Sequence, residues 1–267
     1  MIPAPDELKA QGIKVLGISG SARQKAGMSK SEKILLQALD MAKKFGAVPH
    51  FIRLQELKIY DCEGHYSQDP GYCTYPCQDS MKYEDDQMQL VYNAIFDTDV
   101  LILATPIRWN NHSALMQKFV ERMNCIENSD VWFGKKLIKD KVAGLIVIGH
   151  VDGVQHVAGN LMNFLNWLGF HMPQDMITSW VGPNDEDTTK DWDEIQKNPY
   201  TQEDLENMVH GILKLASDLR NSKDLRGNKD YLHIIEYDCQ RWNILSGKQV
   251  YPMKILISVT HDNLGVN

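Results

Sequence analysis

The sequence predicts an α/β fold in which a doubly wound sheet of five parallel strands is covered by helices on both faces. Short runs of valine, isoleucine and leucine recur along the chain, stretches with a helical period separate them, and turn residues bound each run. Strands that alternate with helices form parallel sheets, because each helix returns the chain to the end of the sheet at which the previous strand began. Two stretches interrupt the alternation, and we interpret them as a cysteine-containing insert and a C-terminal extension.

Five apolar runs are the candidate strands. Each is short, rich in β-branched residues and bounded by turn residues, and the fifth is the least distinct. In chain order they occupy 13–18, 48–54, 100–105, 142–149 and 176–181.

Helices are predicted where apolar residues recur at intervals of three and four. Ser29 and Glu32 resemble a capping box before the first helix, Ser113 precedes the second, and Asp152 precedes the third. The apolar stripes occupy 34–45, 115–123 and 154–168, and weaker patterns occupy 84–96 and 202–220.

The alternating pattern ends near residue 220. We therefore predict one domain over 1–220 and an extension over 221–267, which contains another strand-like run at 253–260. The insert at 55–83 is long for a structureless loop, which favours a function or a partner contact. The extension could cap the domain or reach a neighbouring subunit.

Composition limits the classes of partner. The chain has 267 residues, 43% of them hydrophobic, which is enough for a sizeable core. Its formal net charge is −7 and it has no long basic run, which argues against nucleic acid and anionic membranes as partners. No apolar stretch has the length of a membrane span, the N-terminus lacks the pattern of a secretion signal, and the five cysteines are an odd number. We therefore expect a cytoplasmic protein.

The turn after the first strand, GISGSARQKAGMSKS (17–31), is crowded with small and hydroxyl residues. Its glycines do not have the spacing of the dinucleotide fingerprint, and the NTPase phosphate-loop string is absent. Hydroxyl groups near Arg23 and Lys30 suit a phosphate monoester, because its three oxygens accept many hydrogen bonds. A polar turn with an ordinary helix cap is the alternative.

Two further turns follow the third and fourth strands. They are TPIRWNNHSALMQKFVERM (105–123) and GHVDGVQHVAGNLMNFLNWLGF (149–170). Because the carboxyl ends of parallel strands share one edge of a sheet, we expect these turns to converge with the first. The second turn offers a rigid, partly apolar edge for a flat heterocycle. Core packing for Trp109 and a solvated turn for His150 are the alternatives.

Together these blocks resemble the three flavin loops of the NAD(P)H-dependent FMN reductase superfamily, on the branch that contains iron–sulfur flavoproteins and related quinone reductases. The resemblance covers about residues 13–180, and Thr-Pro-Ile-x-Trp-x-x-x-Ser-Ala-Leu-Met is its most specific element. It implies a flavodoxin-like fold that binds FMN. In that family the first loop binds the phosphate, the second runs along the isoalloxazine ring, and the third closes the far side.

The resemblance assigns a role to each loop residue. Arg108 is the predicted catalytic residue, which would balance negative charge on the reduced flavin or an incoming substrate, and an ordinary surface arginine is the alternative. The implied phosphate contacts are Ser19, Ser21, Arg23, Ser29 and Ser31, the ring contacts are Pro106, Ile107, Arg108, Trp109 and Asn110, and the closing turn is Gly149, His150, Asp152 and Gly153.

Three cysteines of the insert, Cys62, Cys73 and Cys77, lie where iron–sulfur flavoproteins of this branch place a compact set of four. The spacing differs and one ligand is missing, so we expect neither an iron–sulfur cluster nor another metal. Free thiols, a zinc site, or a redox-labile pair of Cys73 and Cys77 are the other interpretations. Residues that could complete a ligand set are His65, Asp69, Cys125 and Cys239.

The resemblance implies an enzyme that passes electrons from NAD(P)H through bound FMN to a small acceptor, which could be a quinone, a flavin, a nitroaromatic or a metal ion. An electron carrier that docks on a protein redox partner is the main alternative. A flavin or nucleotide sensor without catalytic activity is a third hypothesis. We expect a homodimer or homotetramer, because relatives of this kind commonly complete the flavin pocket with a neighbouring subunit.

Overall fold

A computed structural model of the chain describes residues 10–24, 29–69, 71–150, 153–182 and 191–225. Within them a single sheet contains five parallel strands in the order β2-β1-β3-β4-β5. This order confirms the doubly wound sheet, and each strand ends within one residue of its prediction. The strands are β1 (Lys14–Ser19), β2 (Val48–Arg53), β3 (Val100–Pro106), β4 (Val142–Gly149) and β5 (Ile177–Val181).

Eight helices lie among the described residues. They are α1 (Lys30–Lys44), α2 (Gln78–Lys82), α3 (Met88–Asp97), α4 (Ala114–Arg122), α5 (Asn124–Phe133), α6 (Val154–Leu168), α7 (Asp191–Lys197) and α8 (Pro199–Leu225). Short 3₁₀ turns occupy Leu54–Glu56 and His65–Ser67.

The predicted caps agree with the first two main helices. The Ser29 hydroxyl accepts a hydrogen bond from the Glu32 amide, and the Ser113 hydroxyl accepts one from the Met116 amide. Gly153 is the residue that precedes α6, while Asp152 lies outside the described residues.

Two weakly patterned helices have different bounds from those predicted. Helix α3 begins at Met88 rather than at 84. Before it, the Asp86 amide donates a hydrogen bond to the Tyr83 carbonyl and the Gln87 amide donates one to the Lys58 carbonyl. Helix α8 begins at Pro199, three residues earlier than predicted, since proline is favourable in the first turn of a helix.

Hydrophobic cores lie on both faces of the sheet. Helices α1, α7 and α8 pack on one face, where Ile34 and Met208 meet strand residues such as Ile102. Helices α3 to α6 pack on the other face around residues such as Leu103 and Phe119. In sheets of this topology, with both faces covered, ligands bind at the carboxyl edge of the strands.

The buried side chain of Arg122 makes several of the contacts that join the insert to the domain. The guanidinium of Arg122, at the end of α4, donates to the Tyr60 carbonyl at 2.9 Å and to both carboxylate oxygens of Asp86 at 2.9 and 2.8 Å. It also donates to the Ser80 hydroxyl at 2.7 Å. A single arginine therefore joins both ends of the insert to the helical layer.

The described residues up to Arg220 form one compact unit of the chain. The predicted extension begins inside α8, which runs on to Leu225, and its later part, with the strand-like run at 253–260 and Cys239, lies outside the described residues. Its role therefore stays a prediction. None of the helices in the described part is long and apolar enough to cross a membrane.

Candidate functional site

The turns after β1, β3 and β4 meet at the carboxyl edge of the sheet. They enclose a cavity of about 620 Å³, within the range of roughly 300–1,000 Å³ that is common for small-molecule sites. Its lining residues are Ser21, Arg23, Ser29, Lys30, Ser31, Pro106, Ile107, Arg108, Trp109, Asn110, Ile148, Gly149 and His150.

One end of this cavity is rich in hydrogen-bond donors. Ser29 caps α1, and its hydroxyl lies 3.0 Å from the Ser31 hydroxyl. The Ser21 hydroxyl accepts from the Arg23 amide at 3.3 Å. The N-terminus of α1 adds amide groups and the positive end of the helix dipole. Hydroxyl groups, amides and one exposed arginine form a suitable cradle for a phosphate group.

The opposite end is a tight turn after β3. The Arg108 amide donates to the Asn111 carbonyl at 2.7 Å, and the Asn111 amide donates back at 2.9 Å. The two residues between them, Trp109 and Asn110, have φ angles of 49° and 58°. A left-handed backbone is costly for a residue as large as tryptophan. Trp109 is also fully exposed, which excludes the alternative that it packs in the core.

Two glycines allow the third turn to pack against the second. A Cβ atom at Gly149 would lie 2.7 Å from Cδ1 of Ile107. At Gly153, where φ is +140°, a Cβ atom would lie 2.3 Å from Oδ1 of Asn110. Both distances are too short for a side chain, so these positions require glycine. The close approach fixes the wall of the cavity beside 106–110.

Most of the predicted site residues meet in this cavity, but two positions differ. Ser19 does not line it, because its buried hydroxyl donates to Oε2 of Glu32 at 3.2 Å and accepts from the Ser21 amide at 3.3 Å. Gly153 lies beside Asn110 rather than in the lining. Asp152 is outside the described residues.

Sequence reasoning did not assign Lys30 and Asp191 to the site. The Lys30 ammonium forms an ion pair with the buried Asp191 carboxylate, and Nε2 of His150 lies 2.9 Å from Lys30 Nζ and 3.2 Å from Asp191 Oδ2. Burial, followed by the charge of Arg23, lowers the pKa of Lys30 to about 8 although Glu194 raises it. Lys30 is in the first loop and could have been included, whereas no motif marks Asp191.

The cysteines of the insert lie elsewhere in the structure. The four described cysteines, Cys62, Cys73, Cys77 and Cys125, are free thiols. Cys77 accepts a hydrogen bond from Arg122 at 3.5 Å, and hydrogen bonding with Cys125 lowers the pKa of the Cys77 thiol. Among the described residues, the potential metal ligands that cluster within 4.8 Å of one another are Glu63, His65 and Asp79, a set without cysteine.

The polar atoms of Glu63, His65 and Asp79 already have hydrogen-bond partners in the protein. Glu63 accepts hydrogen bonds from Lys82 and Tyr83, both at 2.5 Å, and Nε2 of His65 lies 2.9 Å from Asp79. The Lys82 ammonium balances the charge of Glu63, and the remaining contacts engage atoms of His65 and Asp79 that a metal ion would need. We assign no metal site to this group.

A parallel sheet of order 2-1-3-4-5 with a cavity at its switch point is the architecture of a flavodoxin-like protein. The chain belongs to the NADPH-dependent FMN reductase family, whose sequence model matches residues 13–181. The match confirms the family, the flavodoxin-like fold, the oxidoreductase class and FMN as the cofactor.

Individual relatives are distant. The chain is 27% identical over 171 residues to 8-demethyl-8-aminoriboflavin-5'-phosphate synthase of Streptomyces davaonensis, with 64% of each protein covered. It is 25% identical over 161 residues to an iron–sulfur flavoprotein of Methanosarcina thermophila, which covers 60% of this chain and 74% of that protein. The match to the synthase thus spans slightly less than two thirds of its length.

Solved structures support the fold. The crystal structure of RosB with bound 8-demethyl-8-formylriboflavin-5'-phosphate superposes with a TM-score of 0.64 at 20% identity, and covers 94% of both chains. A flavone reductase superposes with a TM-score of 0.54 at 18% identity, and covers 78% of this chain and 64% of its own. At these identities the similarity is one of fold.

Proposed function

We propose that this protein takes a hydride from NAD(P)H and passes electrons through bound FMN to a small acceptor, such as a quinone, a flavin, a nitroaromatic or a metal ion. One observation carries the proposal. A single cavity joins a hydroxyl-rich helix N-terminus to the rigid edge of the turn at 106–110, so that a phosphate and a flat ring fit in one continuous space.

The lining residues divide between the two parts of the cofactor. Ser21, Ser29 and Ser31, with the charge of Arg23, would hold the phosphate, while the turn at 106–110 would lie along the ring. FMN supplies the hydride and electron transfer chemistry when it is bound. The protein orients it and keeps water from its covered face.

Arg108 is the proposed catalytic residue of this site. Its guanidinium lies at the exposed wall of the cavity, within 3.4 Å of the Ile107 carbonyl. A cation at this position would stabilise negative charge that develops when the ring is reduced or when an acceptor binds. Such an interaction is stronger in the reduced state, so its removal should slow turnover more than it weakens cofactor binding.

Arg23 offers a matched comparison for Arg108. Both are exposed arginines in the same lining, but Arg23 lies at the phosphate end. We expect Arg23→Ala to raise the Kd for FMN by roughly tenfold while the rate of flavin reduction at full occupancy stays within twofold. Arg108→Ala should do the reverse, with reduction slowed by roughly tenfold and the Kd changed by less than threefold.

Stopped-flow bleaching of FMN by NADPH and by NADH, followed by reoxidation with a quinone, tests these expectations. Bleaching that is too slow to support steady-state turnover with either nucleotide would refute the reductase and favour the electron carrier. Equal behaviour of the two arginine variants would refute the division of the cavity into a phosphate end and a ring end.

A flavin-modifying enzyme is a second candidate function. The relative from Streptomyces davaonensis is named as a synthase of a modified flavin phosphate. The cavity wall of this chain contains Lys30 and His150, which both contact the buried Asp191 behind it, and hydride transfer does not require these ionisable groups. Mass spectrometry of the flavin recovered after turnover distinguishes the two. Unchanged FMN supports the reductase, and a flavin of altered mass supports the second candidate.

We also propose that the protein is a homodimer or homotetramer of the cytoplasm. Large aromatic side chains are exposed on its surface, with Trp132 at 55% and Trp167 at 62%. Exposed apolar groups of this size are common at interfaces between subunits. Sedimentation velocity of the full chain measures the oligomeric state, and a monomer at micromolar concentration would refute this part of the proposal.

A further inference from the structure

A buried ion pair lies directly beneath the loop at the phosphate end of the cavity. Nε of Arg53 donates to Oε2 of Glu32 at 2.9 Å, and the two side chains are 6% and 1% exposed. Arg53 is the last residue of β2 and Glu32 is in the first turn of α1. The strand register places Arg53 beside Ser19, the last residue of β1. The pair therefore lies where the chain leaves the sheet to form the loop.

Both members of the pair contact the loop itself. Nη2 of Arg53 donates to the backbone carbonyl of Arg23 at 2.7 Å. Glu32 accepts from the Ser19 hydroxyl at 3.2 Å, and that hydroxyl in turn accepts from the Ser21 amide at 3.3 Å. Ser21 and Arg23 line the cavity, so the ion pair controls the backbone at both of these positions.

The charges of Arg53 and Glu32 also affect how a phosphate group would bind beside them. Glu32 is an almost fully buried carboxylate next to the place proposed for a phosphate group. Unpaired, it would repel a phosphate dianion through an interior that screens charge weakly. Arg53 cancels this charge, and its third contact, from Nη1 to Oε1 of Glu56 at 2.5 Å, leads away to an exposed side chain.

We infer that Arg53 and Glu32 form a positioning pair that shapes the 19–23 loop and sets the selectivity of the site for phosphorylated over unphosphorylated flavin. The inference rests on the proposed FMN site. Neither residue lines the cavity, so both act through the loop backbone and through their net charge. A pair that served only stability would affect both flavins equally.

A double-mutant cycle tests the pair. The Kd values of FMN and riboflavin are measured by flavin fluorescence on flavin-free full-length protein for the wild type, Arg53→Met, Glu32→Gln and the double variant. We expect Arg53→Met to weaken FMN binding by at least tenfold and riboflavin binding by less than threefold, because the Glu32 carboxylate beside the phosphate loses the Arg53 cation. The double variant should recover most of this loss, since the repulsive charge is gone.

Two further variants act as controls. Glu56→Gln removes the exposed partner of Arg53 and should leave both Kd values within twofold. Glu32→Gln alone removes the buried negative charge beside the loop while Arg53 keeps its exposed partner Glu56, so the ratio of the riboflavin Kd to the FMN Kd should rise. This variant still decides the question if Arg53→Met does not fold.

Specific outcomes overturn the inference. Equal losses for FMN and riboflavin in Arg53→Met, a double variant that binds FMN no better than Arg53→Met, or an unchanged ratio in Glu32→Gln would each reduce the pair to a structural support. A wild type that binds FMN and riboflavin equally would instead refute the proposed phosphate end of the site.

Discussion

Replacement of Arg122 by methionine should destabilise the protein more than the loss of any surface ion pair. The Arg122 side chain is completely buried, and the carboxylate of its partner Asp86 is buried as well. Methionine fills a similar volume but donates no hydrogen bonds. The substitution therefore leaves a buried negative charge without its cation and leaves the Tyr60 carbonyl without its guanidinium donor.

The expected loss follows from these contacts. Opposite unit charges about 4 Å apart interact with about 4 kcal/mol at an effective dielectric constant near 20. Removal of one member of a buried pair commonly costs about 3–5 kcal/mol. Asp86 retains hydrogen bonds from the Ser80 hydroxyl at 2.7 Å and from the Tyr60 amide at 3.0 Å, which places the loss near the lower bound of about 3 kcal/mol.

Arg220→Met is the matched control. Arg220 also pairs with an aspartate at 2.7 Å, but its side chain and that of Asp99 are 38% and 35% exposed. An exposed pair contributes about 1 kcal/mol or less. Urea unfolding of the two variants and the wild type measures both losses. Equal losses would refute the assignment of Arg122 as the residue that holds the insert.

Two other substitutions follow from the structure. A hydrogen bond from Cys125, opposed by burial and assisted by Arg122, lowers the pKa of Cys77 from 9.0 to about 5. Between these pH values the Cys77 thiol is protonated in the unfolded chain and ionised in the folded chain, so the free energy of unfolding should rise with pH. Cys77→Ser should reduce this rise between pH 6 and pH 8. Gly153→Ala should cost about 1–3 kcal/mol through its positive φ and its contact with Asn110, and should weaken FMN more than Gly159→Ala, measured by urea unfolding and flavin titration.

The three central strands β1, β3 and β4 were predictable because they are buried along almost their whole length. All eight residues of β4 are buried, and a strand covered on both faces requires an unbroken apolar run. The stripe predicted over 115–123 ends within one residue of α4, whereas helix α5 was not predicted. At the end of α4 the Arg122 carbonyl accepts a hydrogen bond from the Tyr92 hydroxyl. That contact joins residues 30 apart in the chain, so no local sequence pattern indicates it.

Some residues of the site were likewise predictable from local sequence and others were not. The turns at 17–31, 105–123 and 149–170 each follow a strand directly, so local sequence locates them and topology brings them together. Asp191 reaches Lys30 of the cavity wall from α7, and Arg53 reaches the loop from β2. Their positions depend on strand register and helix packing, which leave no motif in the sequence.

These two residues change the electrostatic character of the phosphate end. Lys30 is paired with Asp191 and Arg53 with Glu32, so two cations near the loop are balanced by buried carboxylates. Among the loop residues that the structure describes, Arg23 supplies exposed positive charge. A count of basic residues in the sequence overstates the field at this end. Recognition of a phosphate here has to depend mainly on the directions of hydroxyl and amide donors, which are fixed by the loop backbone. That dependence is the reason a buried ion pair outside the cavity can decide which flavin the cavity prefers.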